Sequence, residues 1–299
     1  MDDARILALV QAQAEQVDAI EELAIAQVAS TMGAVSDWTD HDEITRAATV
    51  AGQSVRSSSQ ASAGATDAFL TRVMREMVGG SPRLAGVIDV SQPLRSGVRG
   101  YDSIYGRVAD TVRYQMSKGL ALDDAVTIGL QRADAMTRTD LALARREQSR
   151  RWMQSQPETV VGYRRVVHPE LSKSGTCGLC IAAADRRHSR GDLLPLHARC
   201  KCTVMPITGE HDPGGALNNA DFAEAYALAS STSKRDLAEV RVRVVNHGEL
   251  GPVLTNAAHR STDTGKYRRA REQRGQEQVR RPDTAAASQE FFATARRNR

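Results

Sequence analysis

Gln156-Pro157-Glu158-Thr159-Val160-Val161-Gly162-Tyr163-Arg164-Arg165-Val166-Val167-His168 is the stretch at which the chain changes texture. Before it, apolar residues recur at helical spacing. Within it β-branched residues crowd together, and the sequence predicts a strand. A second extended piece is expected at Thr203-Val204-Met205-Pro206-Ile207. The fold class that follows is α+β: a mainly helical N-terminal half, 1–155, and then a small α+β module over 156–210.

Working back from that boundary, Ile6, Val10, Val17, Ile20, Ala24 and Val28 predict a helix from Asp3 to about Met32, stopped by Gly33. After a polar segment, two helices are expected at 43–59 and 66–78, the latter with Phe69, Val73 and Met77 on one face. Gly79-Gly80-Ser81-Pro82 then breaks the chain. A loop-like region through Gly100 precedes a helix carrying Ile104, Val108, Val112 and Met116, ended by Gly119. A long helix over 122–153 places Asp123 and Asp124 in its first turn and Arg145, Arg146, Arg150 and Arg151 towards its end, the order that suits the helix dipole. This half reads as an antiparallel helical scaffold or docking region. Working forward, 211–258 reads as a helical extension with helices at 219–230 and 234–246, and 259–299 as a basic, disordered tail.

The 299 residues suit about two domains of ~150 residues each. Hydrophobic residues at 41% and charged residues at 25% describe an ordinary globular chain rather than a fibre. Aromatics make up only 4%, so alanine-rich helices packed through small side chains are expected in place of an aromatic core. No apolar run approaches the ~18 residues of a membrane-spanning helix. Met1-Asp2-Asp3 lacks the basic start of a secretory signal, so cytosolic synthesis is expected and a membrane partner is not. Residues 1–150 carry 16 Lys+Arg against 20 Asp+Glu, whereas 151–299 carry 24 against 16. The basic half suits an anionic partner, either nucleic acid or an acidic protein surface.

All four cysteines fall within 177–202, as Cys177-Gly178-Leu179-Cys180 and His197-Ala198-Arg199-Cys200-Lys201-Cys202. Thiolates and imidazole at such spacing can close a tetrahedral zinc site. Cys177, Cys180, His197 and Cys200 form the favoured set because the second pair repeats the two-residue spacing of the first; Cys202 is the alternative ligand. The site would be structural, since four protein ligands leave no open position, and it would supply folding energy to a module short of large apolar residues. Two disulfides, a redox-active Cys177–Cys180 dithiol and plain thiols are the competing readings. The first is disfavoured where a chain is made in the cytosol, and the second lacks a βαβ context.

Asp185, His188 and Ser189 include the ingredients of a hydrolase triad, yet clustering within a few residues marks an exposed polar loop. His168 reads as a turn histidine ahead of Pro169. Arg186, Arg187, Arg190, Arg199 and Lys201 surround the cysteines and are the candidate phosphate contacts, of sequence-independent and salt-sensitive type. Only Tyr163 is near enough in sequence to stack on a base.

The run Cys177-Gly178-Leu179-Cys180, Asp185-Arg186, and Gly191-Asp192-Leu193-Leu194-Pro195-Leu196-His197-Ala198-Arg199-Cys200-Lys201-Cys202-Thr203-Val204-Met205-Pro206 resembles the signature of the phage Mu F-like minor head proteins. That signature has a paired-cysteine start, a Pro-x-His-Pro-x-Cys-Arg-Cys centre and a following apolar strand with proline. Ala198 stands where the signature has proline, and Lys201 where it has arginine. The resemblance covers roughly 160–208, and the flanking regions are compatible with versions from phages of actinobacteria. It implies a virion protein of a tailed phage, made in the host cytoplasm and placed in the head. Such a protein acts in head morphogenesis, associates with portal or major capsid protein, and could meet DNA through its basic module and tail. No catalytic residue is expected. Some relatives are described as capsid maturation proteases, which leaves a protease with His168 or His188 as base as the alternative. A sequence-nonspecific zinc protein binding DNA outside the virion is the third reading.

Overall fold

A computed structural model of the chain describes residues 3–80, 82–168, 171, 178–191, 193, 201–209, 211–218, 242–247 and 251–256. Three long helices make the frame: α1 (Asp3–Gly33), α2 (His41–Val78) and α5 (Leu122–Gln154), with the shorter α3 (Tyr101–Tyr105) and α4 (Arg107–Ser117) between the last two. Each long helix touches the other two. Their directions follow from which residues share a core. Ala24 and Val28, late in α1, pack with Ile44 and Ala48, early in α2, and with Ala125 and Ala133, early in α5. Ile6 and Val10, at the start of α1, meet Val73 and Met77 of α2 and Trp152 of α5. Helix α1 therefore runs antiparallel to the other two, as the sequence predicted for this half.

The expected packing through small side chains is also present. A Cβ on Gly129 would stand 2.6 Å from Val112 Cγ2, and one on Gly52 would stand 2.8 Å from Tyr101 Cβ. These two glycines set how closely α4 meets α5 and α3 meets α2. One expectation fails at the same place. The helices predicted at 43–59 and 66–78 are a single helix, α2, which runs through the serine-rich stretch between them. Ser58, Ser59, Ser62, Ala63 and Thr66 are buried there. Ala63 packs against Ile88, Val90 and Ala144, and the Thr66 hydroxyl donates to Ser62 O at 2.8 Å. Tertiary packing overrides the weak intrinsic helix preference of serine and threonine. Asp40 caps this helix, accepting from the backbone N–H of Asp42 at 2.8 Å and of Glu43 at 3.1 Å.

Strand β1 (Val160–Val166) pairs antiparallel with β2 (Thr203–Thr208), in register from Gly162 opposite Ile207 to Val166 opposite Thr203. The short helix α6 (Gly178–Ala184) packs on β1. This pair of strands shares its core with the helices: Val160, Tyr163, Val166 and Met205 belong to one cluster with Ile6, Phe69, Leu70, Met74 and Trp152. The change at 155/156 is thus a change of secondary structure within one continuous core. The strands draw apolar burial from the helix ends. A further hairpin joins β3 (Val242–His247) to β4 (Gly251–Asn256). The sequence predicted helix over 234–246, and residues 242–246 correct that expectation: Val242, Val244 and Val245 are β-branched and find a pairing partner in 252–256. The expected helix at 219–230, the start of the one at 234–246, and the tail beyond 256 lie outside the described residues.

The loop between α2 and α3 is pinned to α5 by polar groups. Arg95, 7% exposed, donates from Nε to Asp140 Oδ1 at 2.5 Å and from NH2 to Met136 O at 2.9 Å. Tyr105 donates to the other Asp140 oxygen at 3.1 Å. Substituting Asp140→Ala should therefore cost about 3–5 kcal/mol in denaturant unfolding, because Arg95 is left buried without its counter-charge. The double change Arg95→Met with Asp140→Leu should recover most of that loss. Equal losses in both variants would mean that the charge pair is not what matters.

Candidate functional site

Strand β1 is the centre of the region that the sequence singled out. Along one edge it pairs with β2. Along the other, Tyr163 and His188 exchange both backbone hydrogen bonds, Tyr163 N–H donating to His188 O at 2.9 Å and His188 N–H to Tyr163 O at 2.8 Å. Gly162 permits that approach, since a Cβ there would stand 2.6 Å from His188 O. The His188 ring stacks on the Tyr163 ring with centroids 4.9 Å apart, and its Nε2 donates to Ala183 O at 2.7 Å. Burial, reinforced by Arg165, Arg186 and Arg164, lowers the His188 pKa to about 4, even though the Ala183 carbonyl favours the protonated ring. His168 is buried too, with Nε2 2.8 Å from Thr203 Oγ1. Both histidines are built into the packing around β1.

The five candidate metal ligands divide between described and undescribed residues. Cys177, His197 and Cys200 lie outside the described residues. Cys180 is buried on α6, which packs on β1; Cys202 is half-buried immediately before β2. No disulfide joins these two. Elsewhere, Asp18, Glu21 and Glu22 of α1 bring three carboxylates within 4.8 Å of one another, close enough to hold a cation. Side-chain cations already meet them. Arg138 donates to Glu21 at 2.6 Å and to Glu22 at 3.0 Å, Arg145 donates to Glu21 at 3.2 Å, and Lys201 Nζ reaches both Asp18 and Glu21.

The candidate phosphate contacts are similarly engaged. Lys201 is turned inward onto α1, as just described. Arg187 Nε donates to Asp212 Oδ2 at 2.9 Å, and Arg164 NH2 donates to the same oxygen at 2.8 Å. Burial would raise the Asp212 carboxyl, yet the two guanidinium groups hold it below its ordinary value. Arg190 NH1 donates to Pro157 O at 2.8 Å. Arg186 is partly buried, and desolvation lowers its pKa. Arg199 lies outside the described residues.

Sequence reading missed Glu21, Asp212 and Asn218. Glu21 had a visible signal, being an acid seven residues before Val28 and four after Val17, on the apolar stripe of α1. Asp212 and Asn218 had none: both act across long sequence separations, Asn218 donating to Arg165 O at 2.6 Å and to Ala184 O at 3.1 Å. Missed as well was a cavity of about 80 Å³ where α1, α2 and α5 meet the strand pair. Arg145, Arg146, Arg165 and Lys201 supply its basic lining, and Cys202 lies on its wall.

No protein-family model, curated protein or solved structure matches this chain.

The His188 environment sets a pH dependence. The folded form holds the neutral ring, so this contribution is complete above the unfolded value of 6.5 and is lost as pH falls, until the folded chain also protonates near 4. Stability should drop by about 2 kcal/mol between pH 7 and pH 5, a window above the range in which carboxylates titrate. In His188→Gln, urea midpoints over the same interval should be nearly flat. A wild-type slope no steeper than the variant's would show that His188 does not govern it.

Proposed function

We propose that this chain is a minor capsid, head-morphogenesis protein of a tailed bacteriophage, docking through its helical half onto portal or major capsid protein. The cysteine–histidine run at 177–206, resembling the Mu F-like signature, carries the proposal. The geometry lends support from two sides. Long helices α1, α2 and α5 offer an extended scaffold whose ends share a core with the strand pair, so load on the helices is transmitted to the module through packed side chains. Three of the module's cations, Arg187, Arg190 and Lys201, are engaged with groups of the chain itself, which favours protein docking over phosphate tracking by the module. Contact with DNA or an acidic scaffold is assigned to the tail at 259–299.

The alternative is a capsid maturation protease. A general base needs a ring nitrogen within hydrogen-bond reach of the proton it removes. Nε2 of His168 is engaged with Thr203, and Nε2 of His188 with Ala183 O; both rings are buried. These arrangements favour an assembly role. Coexpression with the portal and major capsid proteins of such a phage should give copurification with the portal and a capsid protein of unchanged mass. Shortening of the capsid protein only when this chain is present would establish the protease instead.

Within this reading the cysteine cluster is a structural zinc site. Thiolate and imidazole donors suit zinc; Cys180 sits on α6, which packs on β1, and Cys202 immediately precedes β2, which pairs with β1. The candidate ligands are Cys177, Cys180, His197 and Cys200, with Cys202 the alternative to His197. Zinc would act by tying the segments around α6 to the approach to β2. Purified protein should carry about one zinc per chain, and Cys177→Ser should lose it together with part of the thermal stability. Metal-free protein whose melting temperature is indifferent to a chelator would exclude the site.

A further inference from the structure

Residues 82–98, between α2 and α3, form neither helix nor strand, a long irregular connection for a packed helical frame. The first part of this connection is held chiefly by its backbone. Gln156 Nε2 donates to Arg83 O at 2.7 Å, and Arg151 Nε donates to Ala85 O at 3.2 Å. Gln148, fully buried on α5, grips two further peptide groups. Its Nε2 donates to Gly86 O at 3.0 Å, and its Oε1 accepts from Ile88 N–H at 2.9 Å. The Ala85 N–H donates to the Asp67 carboxylate of α2. Side chains of the segment contribute less. Of residues 82–90 only Ile88 and Val90 are buried, while Leu84 is 71% and Val87 40% exposed.

The two ends of this segment differ. On the α2 side, Gly79 and Gly80 have φ of 70° and 76°, and a Cβ on either would meet nothing within 4 Å. Such positions absorb a large backbone rotation without a clash. On the α3 side, Arg95 is fixed by its buried contact with Asp140. Gln148 Nε2 also donates to Asp67 Oδ1 at 2.9 Å. That bond does not involve the connection, so Gln148 and Asp67 keep each other when residues 83–88 leave, and the cost of stranding buried polar groups falls. The cluster that loses cover is the small one of Ala63, Ile88, Val90 and Ala144. The two larger cores of the helices stay intact, with only Ala85 of this segment bordering one of them.

We propose that residues 82–90 are a strap that opens as a unit, pivoting at Gly79–Gly80 and latched by Gln148, while the three-helix frame stays folded. Opening uncovers the α2–α5 face around Ala63 and Ala144, which Ile88 and Val90 now cover. The device does not depend on the phage reading.

Native-state hydrogen exchange of the full chain tests it, read at the Ala85 and Ile88 amides and at amides inside α1 and α5. In wild type the two strap amides should exchange roughly tenfold or more faster than the helix interiors, with rates nearly independent of low denaturant, because little surface is exposed on opening. Gln148→Met keeps the side-chain length but has no amide. It should speed both strap amides by roughly another tenfold and change the helix interiors less than about twofold. The Ala85 amide is decisive, since its own acceptor is Asp67 and not Gln148. Gln156→Met, which loses the contact with Arg83 O, should act in the same direction by a smaller factor, even where loss of Gln148 prevents folding. Strap amides that share the rate and denaturant dependence of the helix interiors in wild type would overturn the proposal. So would acceleration confined to Ile88 in Gln148→Met, or equal acceleration of strap and helix amides in both variants.

Discussion

Glu21 is the charge around which this molecule is organised. It lies on the apolar stripe of α1 and is 2% exposed. An isolated carboxylate in that position would be prohibitively costly. Burial raises its pKa, but Arg145, Lys201 and Arg138 together hold it below the ordinary value. Two of these cations come from α5 and one from the residue pair that leads into β2. The ion cluster therefore fixes three elements against one another at once. Apolar packing between alanine-rich helices tolerates sliding and repacking, whereas a buried carboxylate with specified donors tolerates neither. Sliding α1 along α5 by one turn, or drawing β2 away, would strand a charge.

That constraint explains which parts of the fold were legible in sequence. Helical periodicity marked α1, where Ile6, Val10, Ala24 and Val28 bury along one face, and the order of charges marked α5; the single helix read from Ile104, Val108 and Val112 is divided at Gly106 into α3 and α4. The strands β1 and β2 were legible from β-branched runs. The join within α2 was not, since Ser58, Ser62 and Thr66 read as a break when only local preference is weighed. Their small volume is what lets Ala63 reach Ile88 and Ala144, a reason that exists only in three dimensions. Residues 242–246 show the opposite failure. Helical spacing was assigned to a valine-rich run whose pairing partner, 252–256, lies just beyond it.

The candidate site was legible in composition but not in arrangement. The cysteine–histidine spacing could be read directly, and so could the surplus of basic residues around it. What those cations do could not, because their partners are distant: Asp212 for Arg187 and Arg164, Glu21 and Asp18 for Lys201. A basic patch in sequence thus became, for the most part, a set of internal ties.

Lys201 shows how one side chain can decide between these roles. A planar guanidinium fork suits a single carboxylate or phosphate approached edge-on. Here the side chain meets two carboxylates one helical turn apart, Asp18 and Glu21, and an ammonium with three rotatable donors can serve both from one point. The lysine thereby attaches the approach to β2 to α1. Because Arg138 and Arg145 already supply forked contacts to Glu21 and Glu22, a third fork in the same space would compete for oxygens already taken. The compact charge of lysine completes the cluster without displacing them.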